Sequence, residues 1–195
     1  MSQLTPVTTK PALRLKSGEK IDLSQVEIKS ERLLLAPITA DYAQDIFVEF
    51  TPDIARYMIP RPASKIEETL AFISDSVTQR QNGTDLILMM LQPETREFLG
   101  ICGLHSGNNH KEPALGLWVK QGAHGHGYGK EAIFAVVNWA CANLDIQAFI
   151  YPVDRANAAS RRIPEALGGK IIEEKIAPTM SGGALDEIVF RIEVK

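Results

Sequence analysis

Two cysteines, Cys102 and Cys141, are all that the 195-residue chain contains. They lie far apart among apolar neighbours, which excludes a disulfide framework and reads as buried free thiols in a reducing compartment. A surplus of positive charge is also missing. The 21 Lys and Arg against 24 Asp and Glu leave a net charge of −3, the wrong balance for gripping a phosphate backbone, so no nucleic-acid partner is expected. No apolar run approaches the ~18 residues of a membrane span, and Met1 to Lys10 has no apolar core that could serve as a signal peptide. A cytoplasmic chain without a membrane partner is the expectation. With 45% hydrophobic and 23% charged residues, the composition is that of a globular domain able to bury its own core.

What is present is an alternation of elements. Residues 1–27 carry Pro6, Pro11, a threonine cluster and a Ser17-Gly18 turn signal between two short alternating segments. They read as a loose N-terminal arm closing as a weak hairpin, with a poorly ordered tail as the alternative. Residues 28–195 read as one domain. Arg32–Ala36 is a strand ending at Pro37. Thr39 caps a helix with Ala43, Ile46, Phe47 and Phe50 on one face, and Pro52, Pro60 and Pro62 mark a loop. A second helix opens on Ser64 and Glu67 in capping-box spacing and buries Ile66, Leu70, Ile73 and Val77. Asp85–Leu91 and Glu97–Leu104, joined by a short turn, are antiparallel strands. Ala114–Val119 is a third. A helix with Ile133, Val136, Val137, Ala140, Cys141 and Leu144 on its inner face follows. The chain closes with a strand over Ile146–Val153, a helix over Asn157–Leu167, and strands over Lys170–Lys175 and Glu187–Val194. This order predicts an α/β (α+β) fold, a mixed sheet with helices on both faces.

Between the third strand and the long helix lies Gln121-Gly122-Ala123-His124-Gly125-His126-Gly127-Tyr128-Gly129-Lys130. Amides at a helix start lack intrahelical partners, the helix dipole favours an anion there, and glycine lets the backbone approach a phosphate. The dinucleotide fingerprint fails, because its third glycine would fall on Lys130. The P-loop fails too, because its first glycine would fall on His124 and its Ser or Thr on Glu131.

One pattern fits. His124-x-x-Gly127-x-Gly129 resembles the pyrophosphate loop of the GCN5-related N-acetyltransferases (GNAT), and Asn157-x-x-Ser160 with Leu167-Gly168 resembles the second acyl-CoA motif of that superfamily. Glu31-Arg32-Leu33-Leu34-Leu35-x-Pro37-Ile38 is similar to the first strand of its ribosomal-protein alanine N-acetyltransferase branch. The resemblance runs from about Lys29 to Val194. It implies a mostly antiparallel twisted sheet splayed between two central strands, the one ending near Val119 and Ile146–Val153, with acetyl-CoA seated in the gap. Implied cofactor contacts are the Trp118 and Val119 backbone for the pantetheine arm, and His124, Gly125, His126, Gly127, Tyr128, Gly129 and Lys130 for the pyrophosphate. Asn157 is implied for the pantetheine amides, Ser160 near the sulfur, and Arg162, in a basic group with Arg155 and Arg161, for the 3′-phosphate. The alternative for the loop is a plain strand-to-helix turn.

Three departures from the family pattern bear on chemistry. His124 stands where Arg or Gln is usual, which weakens the phosphate contact or makes it pH-dependent. Pro164 replaces a tyrosine that often protonates the leaving thiolate. It also cannot donate to the Ser160 carbonyl, which predicts a kinked helix and makes Ser160 the candidate general acid. Ala114 stands where a Glu is common, leaving Glu112 and His105 as candidate general bases. His105, His110, His124, His126 and Cys102 imply no tetrahedral metal set. The expected activity is acetyl transfer from acetyl-CoA to a primary amine, a protein N-terminus or a small molecule, by a monomer or homodimer. The competing reading is a non-catalytic acyl-CoA-binding sensor.

Overall fold

The computed structural model describes residues 10–194. Eight strands form one sheet: β1 (Ile28–Lys29), β2 (Leu34–Pro37), β3 (Asp85–Leu91), β4 (Phe98–His105), β5 (Ala114–Val119), β6 (Ala148–Asp154), β7 (Lys170–Pro178) and β8 (Ala184–Glu193). Their spatial order is β1-β2-β3-β4-β5-β6-β8-β7. Every neighbouring pair is antiparallel except β5 and β6, which run parallel. That exception follows from the connection: a parallel pair needs a crossover, supplied by α4 (Tyr128–Asn143). The remaining helices are α1 (Ala43–Glu49), α2 (Pro52–Ala55), α3 (Ile66–Gln81) and α5 (Ala158–Ala166).

All seven residues of β3 are buried, because both faces of the sheet are covered. Leu86, Leu88, Met90, Cys102, Leu104 and Leu115 face α4, where Ile133, Val136 and Ala140 are fully buried. Each such aliphatic contributes about 1.5–3 kcal/mol of burial. On the opposite face Ile87, Met89, Ile101 and Trp118 pack against Ile46 of α1 and Ile73 of α3. The mixed sheet with helices on both faces is therefore as the sequence predicts. No helix among the described residues is long and apolar enough to cross a membrane.

Several local expectations are corrected. The segment expected as loop after Pro52 contains α2, with proline at its start and the Thr51 hydroxyl accepting from the Ile54 amide at 3.4 Å. Thr39 precedes a 3-10 turn over Ala40–Tyr42 and makes no side-chain cap. In α3 the buried stripe is Thr69, Ile73 and Ser76, while Leu70 is 41% exposed. Small hydroxyl side chains let this helix lie close to the sheet, and Ser76 satisfies its hydroxyl by donating to the Phe72 carbonyl at 2.8 Å. Ser64 donates to Glu68 rather than pairing with Glu67. The last helix runs unbroken through Pro164.

Of the arm expected over residues 1–27, residues 1–9, with Pro6, lie outside the described residues. From Lys10 onward the chain packs on the α4 side of the sheet. Leu13 and Leu23 are fully buried there, and Arg14 bridges Lys20 across a turn closed by the Gly18 amide donating to the Leu15 carbonyl.

Candidate active site

Where β5 meets β6 the sheet opens. The two strands share one register pair, Ala114 with Ile150, and the bonds between the chains gather at that end: Ile150 N–H to the Pro113 carbonyl at 3.0 Å, Gln147 N–H to the Lys111 carbonyl at 2.8 Å. Alternate residues of a parallel strand donate to the same neighbour. After Ile150 the next donor to β5 is residue 152, and residue 152 is a proline. Proline cannot donate that rung, and from there toward Val119 the strands share no register pair, which leaves the seam open. The same alternation assigns the β5 backbone. Lys120 donates to the Leu99 carbonyl at 2.8 Å, so Gly116 and Trp118 also turn their peptide groups toward β4. Leu117 and Val119 turn theirs into the seam. Of the two backbones expected along the arm, that of Val119 therefore faces the seam and that of Trp118 faces β4; Leu117 shares the seam side, and the Trp118 ring packs on the far face of the sheet with Phe50 and Phe98.

At the wide end of the seam stands the glycine loop. Gly125 and Gly127 adopt φ of 80° and 78°, a left-handed conformation that costs other residues about 1–2 kcal/mol. Gly129 lets the first turn of α4 sit close on β5: a Cβ there would lie 2.6 Å from Leu117 Cδ1 and would push that side chain aside. Two carbonyls of the loop and the last one of β5 are occupied from behind. His124 Nε2–H donates to the Val119 carbonyl at 2.8 Å, His126 Nδ1–H to the His124 carbonyl at 2.8 Å, and Arg32 to the His126 carbonyl at 3.0 Å. Arg32 also ion-pairs with Glu131 at 2.6 Å and lies 5.0 Å over the Tyr128 ring, on which His126 stacks. Glu131 accepts in addition from the Ser30 hydroxyl and the Arg32 amide. Burial alone would raise the Glu131 pKa, but these donors hold it below the ordinary carboxylate value. The amides from Gly125 to Lys130 are left without a partner among the described residues. Consecutive free N–H groups at a helix start form an anion site. His124 turns back onto the chain, so the site is made of backbone rather than imidazole.

Across the seam, Asn157 caps α5 by accepting from the Ser160 amide at 3.2 Å. Ser160 is hydrogen-bonded to the Tyr151 hydroxyl at 2.8 Å. Burial pushes the Tyr151 phenol up to about 12, so it stays protonated through the neutral range. Nothing in the sequence pattern marked this β6 residue, which reads there as core. Arg155 is taken up by Asp186 and Glu174, and Arg161 by Glu165. Arg162 is exposed and has no ion pair among the described residues, and Lys130 lies 5.3 Å from the Phe134 ring centroid.

On the far face of the sheet a cavity of about 420 Å³ lies over β4 and β5, walled by α1 and α3. His105 projects into it above Gly103 and Gly116, where a Cβ would lie 3.0 and 3.6 Å from its Nε2. Its Nδ1–H donates to Asp85 at 3.2 Å, and Lys10 donates to the same carboxylate oxygen at 2.8 Å. Asp85 is 2% exposed. Burial alone would raise its pKa, but the His105 and Lys10 hydrogen bonds hold it below the ordinary value. A buried carboxylate that fixes the imidazole tautomer leaves Nε2 able to take a proton. Glu112, the other candidate base, sits at the closed end of the seam, where Arg191 binds it at 2.7 Å; the structure does not bring it to the cavity.

A family model for the acetyltransferase (GNAT) domain matches residues 32–170. No curated protein sequence matches the chain. Among solved structures it is similar to an acetyl transferase from Salmonella typhimurium that modifies the N-terminal serine of ribosomal protein L7/L12. That match has 15% identity and a TM-score of 0.76, over 87% of this chain and all (100%) of that one. It is also similar to the microcin C7 self-immunity acetyltransferase MccE in complex with acetyl-CoA and AMP, at 18% identity and a TM-score of 0.74, over 85% and 94%. An acetyltransferase from Agrobacterium tumefaciens is 23% identical, with a TM-score of 0.71 over 90% and 99%. These likenesses are of fold, while the family model spans most of the sequence and includes the glycine loop and the second motif. The chain belongs to the GNAT acetyltransferase family.

Proposed function

We propose that the protein transfers the acetyl group of acetyl-CoA to a primary amine, a protein N-terminus or a small-molecule amine, by direct attack on the thioester. The observation that carries this reading is the seam between β5 and β6, open beyond Ile150 and ending at the unpartnered amides of Gly125 to Lys130. A pyrophosphate fits those amides, and an extended amide-bearing arm fits the backbone edge of Leu117 and the amide of Val119, whose carbonyl is taken by His124. Lys130 and Arg162 are the cations for the remaining phosphate charge. The amide of Leu117 or Val119 polarises the thioester carbonyl and stabilises the oxyanion.

His105 Nε2 accepts the proton of the incoming ammonium, with Asp85 bearing the resulting imidazolium charge. The neutral amine forms the new C–N bond; as the tetrahedral intermediate collapses the C–S bond breaks and the nitrogen sheds its second proton to solvent. Ser160, with the Tyr151 hydroxyl behind it, passes its proton to the departing sulfur and recovers one from solvent. The test is incubation with acetyl-CoA and a panel of amines, following free-thiol release and mass gain on the acceptor. Both are expected. An acyl-CoA sensor would use the loop and seam but has no use for an imidazole braced by a buried carboxylate. Binding without turnover across the panel would establish that alternative instead.

A further inference from the structure

The cavity that receives His105 is apolar to an extent that narrows its occupant. Phe47, Phe50, Met58, Phe72, Trp118 and Met180 line it. Among the described residues its one lining carboxylate, Glu68, is already held by Arg61 at 3.0 Å and by the Ser64 hydroxyl. A second positive charge on an acceptor would therefore find no free anion within the cavity and would lose its hydration on entry. Over one side the cavity is roofed. The Met180 amide donates to the Ile59 carbonyl at 2.9 Å, tying the β7–β8 turn to the segment between α2 and α3. Phe72 and Met180, 43% and 64% exposed, stand where a ring entering the cavity would cover them.

Resting on the transferase reading above, we infer that the acceptor is a small aralkylamine: one primary amino group, carried a few bonds from an aromatic ring and bearing no second charge. The ring packs among Phe47, Phe50 and Trp118, while the amine reaches His105 Nε2 over the bare Gly103–Gly116 pair. The volume of about 420 Å³ suits a drug-sized or smaller ligand. Ring-on-ring packing supplies selectivity that a diamine or a small polar N-terminus cannot match.

The test compares kcat/KM for 2-phenylethylamine and tryptamine with that for putrescine and for short peptides beginning with Ser or Ala, all at saturating acetyl-CoA. The aralkylamines are expected to lead by about tenfold or more, the scale of apolar-pocket discrimination. Phe72→Ala, at a half-exposed position where folding is not at risk, is expected to raise KM for the aralkylamines severalfold and leave KM for acetyl-CoA unchanged. Phe72→Asp is expected to move preference toward putrescine. If putrescine or the Ser and Ala peptides lead, this inference is overturned while the transferase reading stands. If no amine is acetylated, the transferase reading itself fails. If the aralkylamines lead but Phe72→Ala changes nothing, the ring does not use this cavity and the inference is overturned on that ground.

Discussion

In the proposed mechanism Asp85 acts only through the His105 ring that it holds, and that makes the pair separable by measurement. Replacing His105 with Gln keeps a side chain able to hydrogen-bond but removes the proton acceptor. The turnover rate is expected to fall about a hundredfold or more, with acetyl-CoA affinity unchanged by equilibrium titration. Asp85 also carries a stability signature. Because its native pKa is lowered from 3.8, its contribution is fully present above the ordinary carboxylate range and is lost as pH falls through the native value. Asp85→Asn should therefore be less stable than the parent at neutral pH, and the gap should close below about pH 4 in acid-denaturation curves. Tyr151→Phe tests the other side of the seam. Removing one hydroxyl behind Ser160 is expected to lower kcat severalfold at constant KM for acetyl-CoA, whereas a purely packing role for the phenol would leave kcat as it is.

At the scale of elements, the β1–β2 connection acts on the start of α4. Arg32 holds the His126 carbonyl and the Glu131 carboxylate together, and so aims the Gly127 amide outward. Arg32→Ala should raise KM for acetyl-CoA by roughly tenfold, since each charge-assisted bond contributes about 1.5–3 kcal/mol, while kcat at saturation holds. Steady-state titration separates the two parameters. Much of this arrangement is legible from residue order. Glycine register excludes the nucleotide motifs, and β3, β5 and α4 fall where the apolar patterns put them. What stays hidden is whatever depends on rotation or on the second face. Helix α3 turns Thr69 and Ser76 inward, because close approach to a sheet rewards small side chains over the large apolar ones that define a stripe in sequence. Trp118 and Leu117 exchange their expected backbone roles because strand phase is set by pairing with β4, which one strand's composition does not reveal. Asp85 reads as the first residue of an apolar strand. Only the fold brings it to His105, two strand ends apart in sequence and adjacent across a register.

For the molecule as a whole, the open end of the seam is where two halves of the described sheet share no backbone rungs. Acetyl-CoA seated there, as proposed, would link the β1–β5 half to the β6–β8 half. At a concentration a hundredfold above Kd, linkage adds about 2.7 kcal/mol, a rise in melting temperature of about 5–10 °C for a chain of this size. Differential scanning fluorimetry should show that rise with acetyl-CoA and none with NAD or ATP, which the glycine register does not suit.

Pro152 has a consequence for traffic through this breach. In most sheets, threading a molecule between adjacent strands would first require unzipping them, and each departure would let them snap shut. Here the strand sets a proline nitrogen without a hydrogen opposite the Leu115 carbonyl, so one rung of the closure is removed by the covalent structure itself. If the donor is seated there as proposed, its loading and discharge need no rebuilding of the sheet, and the doorway stands ready between one turnover and the next.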